Sequence, residues 1–207
     1  MQASGLSLGD DSVDLALPDG EARLWPSAWD AAEAALLFEE LRHSIDWRPE
    51  KIMIFGAQRA VPRLVAWHGD PGARYTYSGT LHEPLPWTEA LERVRHRVLE
   101  LTGEAFNAVL LNLYRDGRDG MGWHSDDEPE LGPAPVIASV SLGAARRFCL
   151  RHKGHKDLKV DLTLEHGSLL LMAGQTQRRW VHALPKTSRP VGERINLTFR
   201  QVQPAGV

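Results

Sequence analysis

The sequence predicts an α+β domain, a double-sheet jelly roll (double-stranded β-helix) buttressed by N-terminal helices. Three observations carry this. Two stretches in the first half repeat apolar residues at helical spacing. From Gly103 on, the chain breaks into short β-rich runs, and clusters of Gly, Pro and Asp punctuate them. Helices followed by many closely spaced strands give an α+β layout built on a sandwich or barrel.

Taken in order, residues 1–25 are rich in Gly, Ser and Asp and are expected to pack loosely, as an N-terminal extension. A helix is expected from residue 27 to about 45. Pro26-Ser27 would start it, and Ala32, Ala35, Leu36 and the 38–41 region would form its apolar stripe. A second helix is expected over 87–101, with Thr88 as N-cap, Glu89 and Glu92 in its first turn, and Leu91, Val94, Val98 and Leu101 as its stripe. Thr102-Gly103 stops it. The strand candidates follow: FNAVLLNLY (106–114), VIASVSL (136–142), RFCLR (147–151), KVDLTL (159–164), SLLLM (168–172), RWVHAL (179–184) and RINLTFRQV (194–202). The layout is then an extension (1–25) and one domain (26–207), with the jelly-roll core at about 104–203.

Composition narrows the function classes. The chain has 207 residues, 43% of them hydrophobic, which suits one domain with a real core. Its net charge of −3 means that any nucleic-acid binding needs a local basic face. The single cysteine, Cys149, excludes an intrachain disulfide framework and a CxxC zinc site. No apolar run approaches the roughly 18 residues of a membrane span. The start, MQASGLSLGDDSVDLAL, lacks the basic region of a secretory signal. A cytoplasmic, monomeric enzyme or binding module with no membrane contact is expected.

The chemistry concentrates in WHSDDE (123–128). His124 and Asp126 are two apart, so on an extended segment they share a face. Taken alone, a solvated acidic turn explains the run as well as a metal site does. His182, in WVHALP, would alone read as a core histidine. Together the three make a candidate 2-His-1-carboxylate facial triad, the site type of non-haem Fe(II) oxygenases. Trp123, on the other phase, reads as core. In RINLTFR, Ile195, Leu197 and Phe199 alternate with Arg194, Asn196, Thr198 and Arg200. The polar row is open to two readings: a solvent-exposed face, or a grip on a small dicarboxylate by two arginines whose Cα atoms lie roughly 20 Å apart.

With HxD, a distal His and RxNxTxR in order, the chain resembles the AlkB-like Fe(II)/2-oxoglutarate dioxygenases, and is similar in particular to the branch of the human DNA-repair homologues. The resemblance runs from about residue 52 to 202, through FGAQRAVPR, WHGDPGARYTYSG, TGEAFNAVLLNLYRDGRDGMGWHSDDE, SLGAARRF, GSLLLMAG and HALPK, and leaves the first 25 residues outside. It implies that His124, Asp126 and His182 ligate Fe(II). It implies that Asn112 and Tyr114 reach the carboxylates of 2-oxoglutarate, that Arg194 pairs with the distal carboxylate and Arg200 with the one near iron, and that Asn196 and Thr198 support them. O2 is the second cosubstrate.

The implied activity is oxidative demethylation of N-alkylated bases in DNA, of the 1-methyladenine and 3-methylcytosine type, releasing formaldehyde, succinate and CO2. The alternative is the same chemistry on RNA or another methylated substrate. A methylated base inside a duplex must be flipped out, and residues of about 50–85 form the implied nucleotide-recognition part. Tyr77 and the His124 ring would sandwich the flipped base, with Tyr75 lining the pocket or holding a phosphate. Glu128 and Asp127 are candidates to face a cationic base, or are surface acids. Phe55, followed by Gly56, matches a wedge position, or belongs to the core of a strand. The basic segment 146–159 (with Arg151, Lys153 and Lys156) reads as a DNA-facing hairpin or a solvated one. Arg63, Arg178 and Arg179 are weaker contacts. His43, His68, His82, His96 and His166 receive no role.

Overall fold

The computed structural model describes residues 11–54, 57–77 and 80–203, with the backbone alone for the described parts of 52–59 and 75–82. Residues 13–25 do not pack loosely. β1 (Val13–Leu15) and β2 (Glu21–Trp25) pair antiparallel, and β2 continues onto a later strand of the main sheet. A division at residue 25 therefore falls at the end of a sheet strand. The cause is a short alternation: inward Ala22 and Leu24 between exposed Glu21 and Arg23.

The first helix, α1 (Ala31–Ser44), starts four residues later than expected, because Asp30 caps it better than Ser27 does. The Asp30 carboxylate accepts from the N–H groups of Ala32 and Glu33, both at 2.9 Å, and the Glu33 carboxylate accepts from the Asp30 N–H. Such a capping box is worth about 1 kcal/mol. The expected stripe holds at Phe38 and Leu41 but is out of phase at Ala32, Ala35 and Leu36. Ala34, Leu37 and Leu41 are buried, whereas Leu36 is 73% exposed. Next come β3 (Arg48–Ile54) and β4 (Ala57–Gly69), an antiparallel pair, then the small hairpin of β5 (Tyr75–Tyr77) and β6 (Thr80–His82). Phe55 and Gly56 lie outside the described residues. Helix α2 (Glu89–Thr102) is as expected. Thr88 Oγ1 accepts from the Leu91 N–H, and Gly103 ends the helix with φ 73°, a left-handed conformation that suits glycine.

The rest is β7 (Ala108–Tyr114), β8 (Met121–His124), β9 (Ile137–Gly143), β10 (Arg146–His152), β11 (Lys159–Leu164), β12 (Ser168–Ala173), the one-turn α3 (Thr176–Arg179), β13 (Trp180–Leu184) and β14 (Arg194–Arg200). A major sheet runs β1-β2-β12-β9-β14-β7-β4-β3, and a minor sheet runs β11-β10-β13-β8. Both are antiparallel throughout. The architecture is the double-sheet jelly roll with helices on one side.

Alternation decides what lies where. On β7 and β14, Val109, Leu111, Leu113, Ile195, Leu197 and Phe199 share one apolar cluster with Leu37, Leu41, Leu91, Val94 and Val98 of the helices. The opposite phase faces the minor sheet, where Leu110, Tyr114, Phe148, Leu150, Met172 and Leu184 form a second cluster. Because helices cover one face of the major sheet and the minor sheet covers the other, β14 is buried along its whole length. Its polar row is enclosed rather than solvated, which decides against the solvent-exposed reading.

Candidate metal centre

The polar row of β14 looks into a cavity between the sheets. His124, Asp126, His182, Asn112, Tyr114, Arg194, Asn196, Thr198 and Arg200 all line it. Strand register brings them together. Asn196 lies opposite Asn112 on β7, Arg194 opposite Tyr114, and His182 on β13 opposite His124 on β8. One ligand atom from each of His124, Asp126 and His182 falls within 4.8 Å of the others. His182 Nε2 is 3.4 Å from Asp126 Oδ2.

Each group is prepared for a cation. The His124 Nδ1–H donates to the Gly122 carbonyl at 2.9 Å, which leaves Nε2 as the free donor atom. Burial and the neighbouring His182 push the His124 imidazole down to about 4, so it is neutral at pH 7. The His182 ring is held between His124, edge-on at 4.2 Å, and Phe148, stacked at 5.4 Å. Burial raises the Asp126 carboxyl, but the Arg200 guanidinium and His182 outweigh it, and the net position is well below the carboxylate range. Arg200 Nη2 donates directly to Asp126 Oδ1. Two imidazoles and one ionised carboxylate at one point fit a divalent iron ion.

The far end of the cavity differs. Arg194 is 1% exposed and has no carboxylate partner among the described residues. Its Nη2 donates to Ser141 Oγ at 2.8 Å, its guanidinium lies 5.3 Å from the centre of the Tyr114 ring, and its Nε is buried without a hydrogen-bond partner. Burial pushes it down to about 10, still charged at pH 7. A buried cation with an orphaned donor is costly unless an anion completes it. The end therefore fits a carboxylate of 2-oxoglutarate. Arg146 adds a third buried guanidinium, 5.9 Å from the same ring, held by the carbonyls of Asp116, Asp119 and Pro185.

Several expected contacts fall elsewhere. Arg63 is not a surface contact. It is buried, and its Nε donates to Asn112 Oδ1 at 2.6 Å, which orients that amide. Asp127 points outward and pairs with Lys153 at 3.1 Å. Glu128 is half-buried ahead of a 3-10 turn (Pro129–Leu131) and does not line the described cavity. Trp123 is not core. It is 46% exposed, on the edge strand β8, under the guanidinium of Arg151 at 4.4 Å.

The basic segment is an antiparallel hairpin, β10–β11, with less free charge than its composition suggests. Arg146 is buried and Arg147 pairs with Asp161, while Lys156 is exposed. Tyr75 and Tyr77 lie on β5, and their side chains are outside those described. Ser139, Ser141 and Gln177 were not anticipated. The alternation of Ser139 and Ser141 with Val140 and Leu142 was a readable signal, since Ser139 accepts from Asn196 and Ser141 from Arg194.

Comparison with known proteins agrees with this geometry. The profile of the 2OG-Fe(II) oxygenase superfamily matches residues 21–200. The chain is 46% identical over 183 residues to the mouse (Mus musculus) DNA oxidative demethylase ALKBH2, covering 84% of this chain and 77% of that one. It is 41% identical over 198 residues to the human (Homo sapiens) alpha-ketoglutarate-dependent dioxygenase alkB homolog 3, covering 90% and 68%. Among solved structures, OsALKBH1 superposes with a TM-score of 0.65 at 15% identity, over 91% of this chain and 100% of that one. A 2OG-Fe(II) oxygenase-family oxidoreductase from Burkholderia pseudomallei gives 0.57 at 14%, over 88% and 87%. At those identities the likeness is one of fold.

Proposed function

The chain belongs to the 2OG-Fe(II) oxygenase superfamily, and on that premise we propose that it is a DNA oxidative demethylase, removing methyl groups from base nitrogens of the 1-methyladenine and 3-methylcytosine type. The observation that carries the reading is one cavity lined both by a converged His124–Asp126–His182 set and, from the facing sheet, by Arg194, a buried cation with no carboxylate partner among the described residues. The substrate class comes from the relatives, two of which are DNA oxidative demethylases of mouse and human.

His124, Asp126 and His182 hold Fe(II). When bound, iron with 2-oxoglutarate and O2 supplies the oxidant that hydroxylates the methyl carbon, after which the carbon–nitrogen bond breaks to give formaldehyde and the restored base. The chain's own residues arrange this. Arg200 keeps Asp126 ionised. Arg194, with Tyr114 and Asn112, receives the cosubstrate's carboxylates, and Arg63 orients Asn112. Leu110, Phe148 and Leu184 keep the cavity wall apolar and restrict water. Tyr77 on β5 and the His124 ring are the proposed walls for the flipped base, with Tyr75 lining the pocket or holding a phosphate, and Lys156 with Arg151 a proposed contact to the phosphate backbone.

Among the described residues no helix is long and apolar enough to cross a membrane. Monomeric state and a cytoplasmic location remain parts of this proposal.

The test is turnover of a 1-methyladenine DNA oligonucleotide with Fe(II), ascorbate and 2-oxoglutarate, beside the RNA of the same sequence. With the DNA, formaldehyde from the lesion and succinate from 2-oxoglutarate are expected in equal amounts. An unchanged DNA lesion with coupled turnover of the RNA would move the assignment to the alternative substrate.

A further inference from the structure

We infer that Gln177 is a positioning residue for the ligand Asp126, and that Lys153 braces this contact from outside. The inference rests on the iron-site reading above and deepens it.

Residues 125–128 lie between β8, which ends at His124, and the 3-10 turn that begins at Pro129, and they belong to no strand ladder. A ligand on such a segment has its carboxylate held by the site but its main chain left to other partners. The Asp126 N–H finds one in Gln177 Oε1, at 3.0 Å. Gln177 is 1% exposed, and its amide nitrogen donates to the Met172 sulfur at 3.6 Å. Sulfur is a weak acceptor, so the stronger of these two bonds is the one to the ligand's own backbone. This bond stands in for the missing ladder.

Gln177 sits on α3, which runs directly into β13, the strand that carries His182. One short segment thus places two of the three ligands. Lys153 fastens that segment from the surface. Its Nζ donates to the Gln177 carbonyl at 2.9 Å and to Asp127 Oδ2 at 3.1 Å, and its N–H donates to the Arg179 carbonyl at 2.7 Å. The exposed Lys153–Asp127 pair alone contributes little. Its consequence is geometric, because it ties the residue after the ligand to the carbonyl of the residue that holds the ligand. Lys153, expected from the sequence to contact DNA, thereby has a duty inside the protein.

Mn(II), a redox-silent probe, is titrated into the full metal-free chain, native and Gln177→Met or Lys153→Met, alongside metal-free melting curves. Gln177→Met keeps the bulk and removes the acceptor. It is expected to weaken Mn(II) binding about 10–100-fold, the usual cost of removing a group that orients a metal ligand. Lys153→Met is expected to weaken it about 3-fold, in the same direction, as fits a solvent-screened brace. A folded Gln177→Met with native Mn(II) affinity overturns the inference, even if its melting temperature falls, since that is the signature of a role in packing α3 alone. If Gln177→Met does not fold, native affinity in Lys153→Met overturns it. If the native chain fails to take up Mn(II), the iron-site reading falls and the inference with it. A native chain that binds beside variants that bind equally well removes the inference only.

Discussion

The two faces of β14 are equally buried and chemically opposite. Toward the helices, Ile195, Leu197 and Phe199 are fully enclosed. Toward the cavity, Arg194, Asn196, Thr198 and Arg200 are no more than 8% exposed. The apolar face is complete as it stands. Phe199 stacks on Trp87 at 6.3 Å and meets Phe106 at 6.1 Å. The polar face carries a counter-charge at one end only, among the described residues. Arg200 has Asp126, whereas Arg194 has Ser141 and an aromatic ring but no carboxylate among the described residues. Burial of a charge is costly when no counter-charge accompanies it. The asymmetry between the two arginines therefore marks where the fold was left for a ligand to finish.

The largest effect is expected from breaking the charge-paired end. Asp126→Asn keeps the shape, removes a metal ligand and deprives Arg200 of its carboxylate. Loss of one partner of a buried pair costs about 3–5 kcal/mol. The metal-free variant should melt well below the native chain and bind Mn(II) at least 100-fold more weakly. Native melting behaviour would show that the Arg200–Asp126 pair is not formed without metal. On the apolar face, Phe199→Ala should cost a similar 3–5 kcal/mol in urea unfolding. The fraction that remains folded should keep its Mn(II) affinity and its 2-oxoglutarate KM within about 3-fold. A large change in either would mean that the two faces are not independent.

Arg194→Met is the converse experiment. A charge-assisted contact to the cosubstrate is lost, worth about 2–3 kcal/mol, or roughly 30–150-fold in 2-oxoglutarate KM. Metal-free stability should stay level or rise, because an uncompensated buried charge has been replaced by an apolar chain of similar length. Opposite signs on stability for Asp126→Asn and Arg194→Met are the sharpest reading of the asymmetry. A clear drop in metal-free stability for Arg194→Met would erase it.

How much of this was legible follows from the kind of signal each residue gives. Alternation on RINLTFR and the caps of α2 are local, and the sequence states them directly. The spacing of His124 and Asp126 is local too. Their convergence with His182 depends on a strand register that only the folded sheets provide, and the family resemblance stood in for it. Where local signals competed, the reading slipped. Asp30 outranked Ser27 as a cap, and that moved the start of α1. Trp123 was read as core because it lies on the phase opposite His124, but on the edge strand β8 that phase carries only partial cover, and Trp123 is 46% exposed beneath Arg151. Arg63 and Gln177 act across 49 and 51 residues of chain, and no motif in one sequence announces such contacts.

The smallest effect tests the exception on the apolar side. His68 shares its phase on β4 with Leu64 and Ala66, which pack toward the helices, and it is buried there. Its Nδ1–H donates to the Pro86 carbonyl at 2.7 Å. Burial pushes the imidazole below 6.5, against the opposing effect of that bond. In the unfolded chain the ring protonates near 6.5. Between its folded value and about 6.5 the unfolded state therefore binds more protons, and stability rises with pH in that window. The contribution is full above about 6.5 and is lost as the pH falls. His124, lowered to about 4, adds a slope of the same sign in metal-free protein. Only the difference between native and variant isolates His68. In urea unfolding of the metal-free chain between pH 7.5 and 5.5, His68→Asn keeps a donor for the Pro86 carbonyl and removes the titration. It should flatten the fall in stability by at most about 1.4 kcal/mol per pH unit, the limit for one proton. Identical slopes would mean that His68 takes up its proton without unfolding, and that the apolar face tolerates a charge the cavity face pairs with a carboxylate.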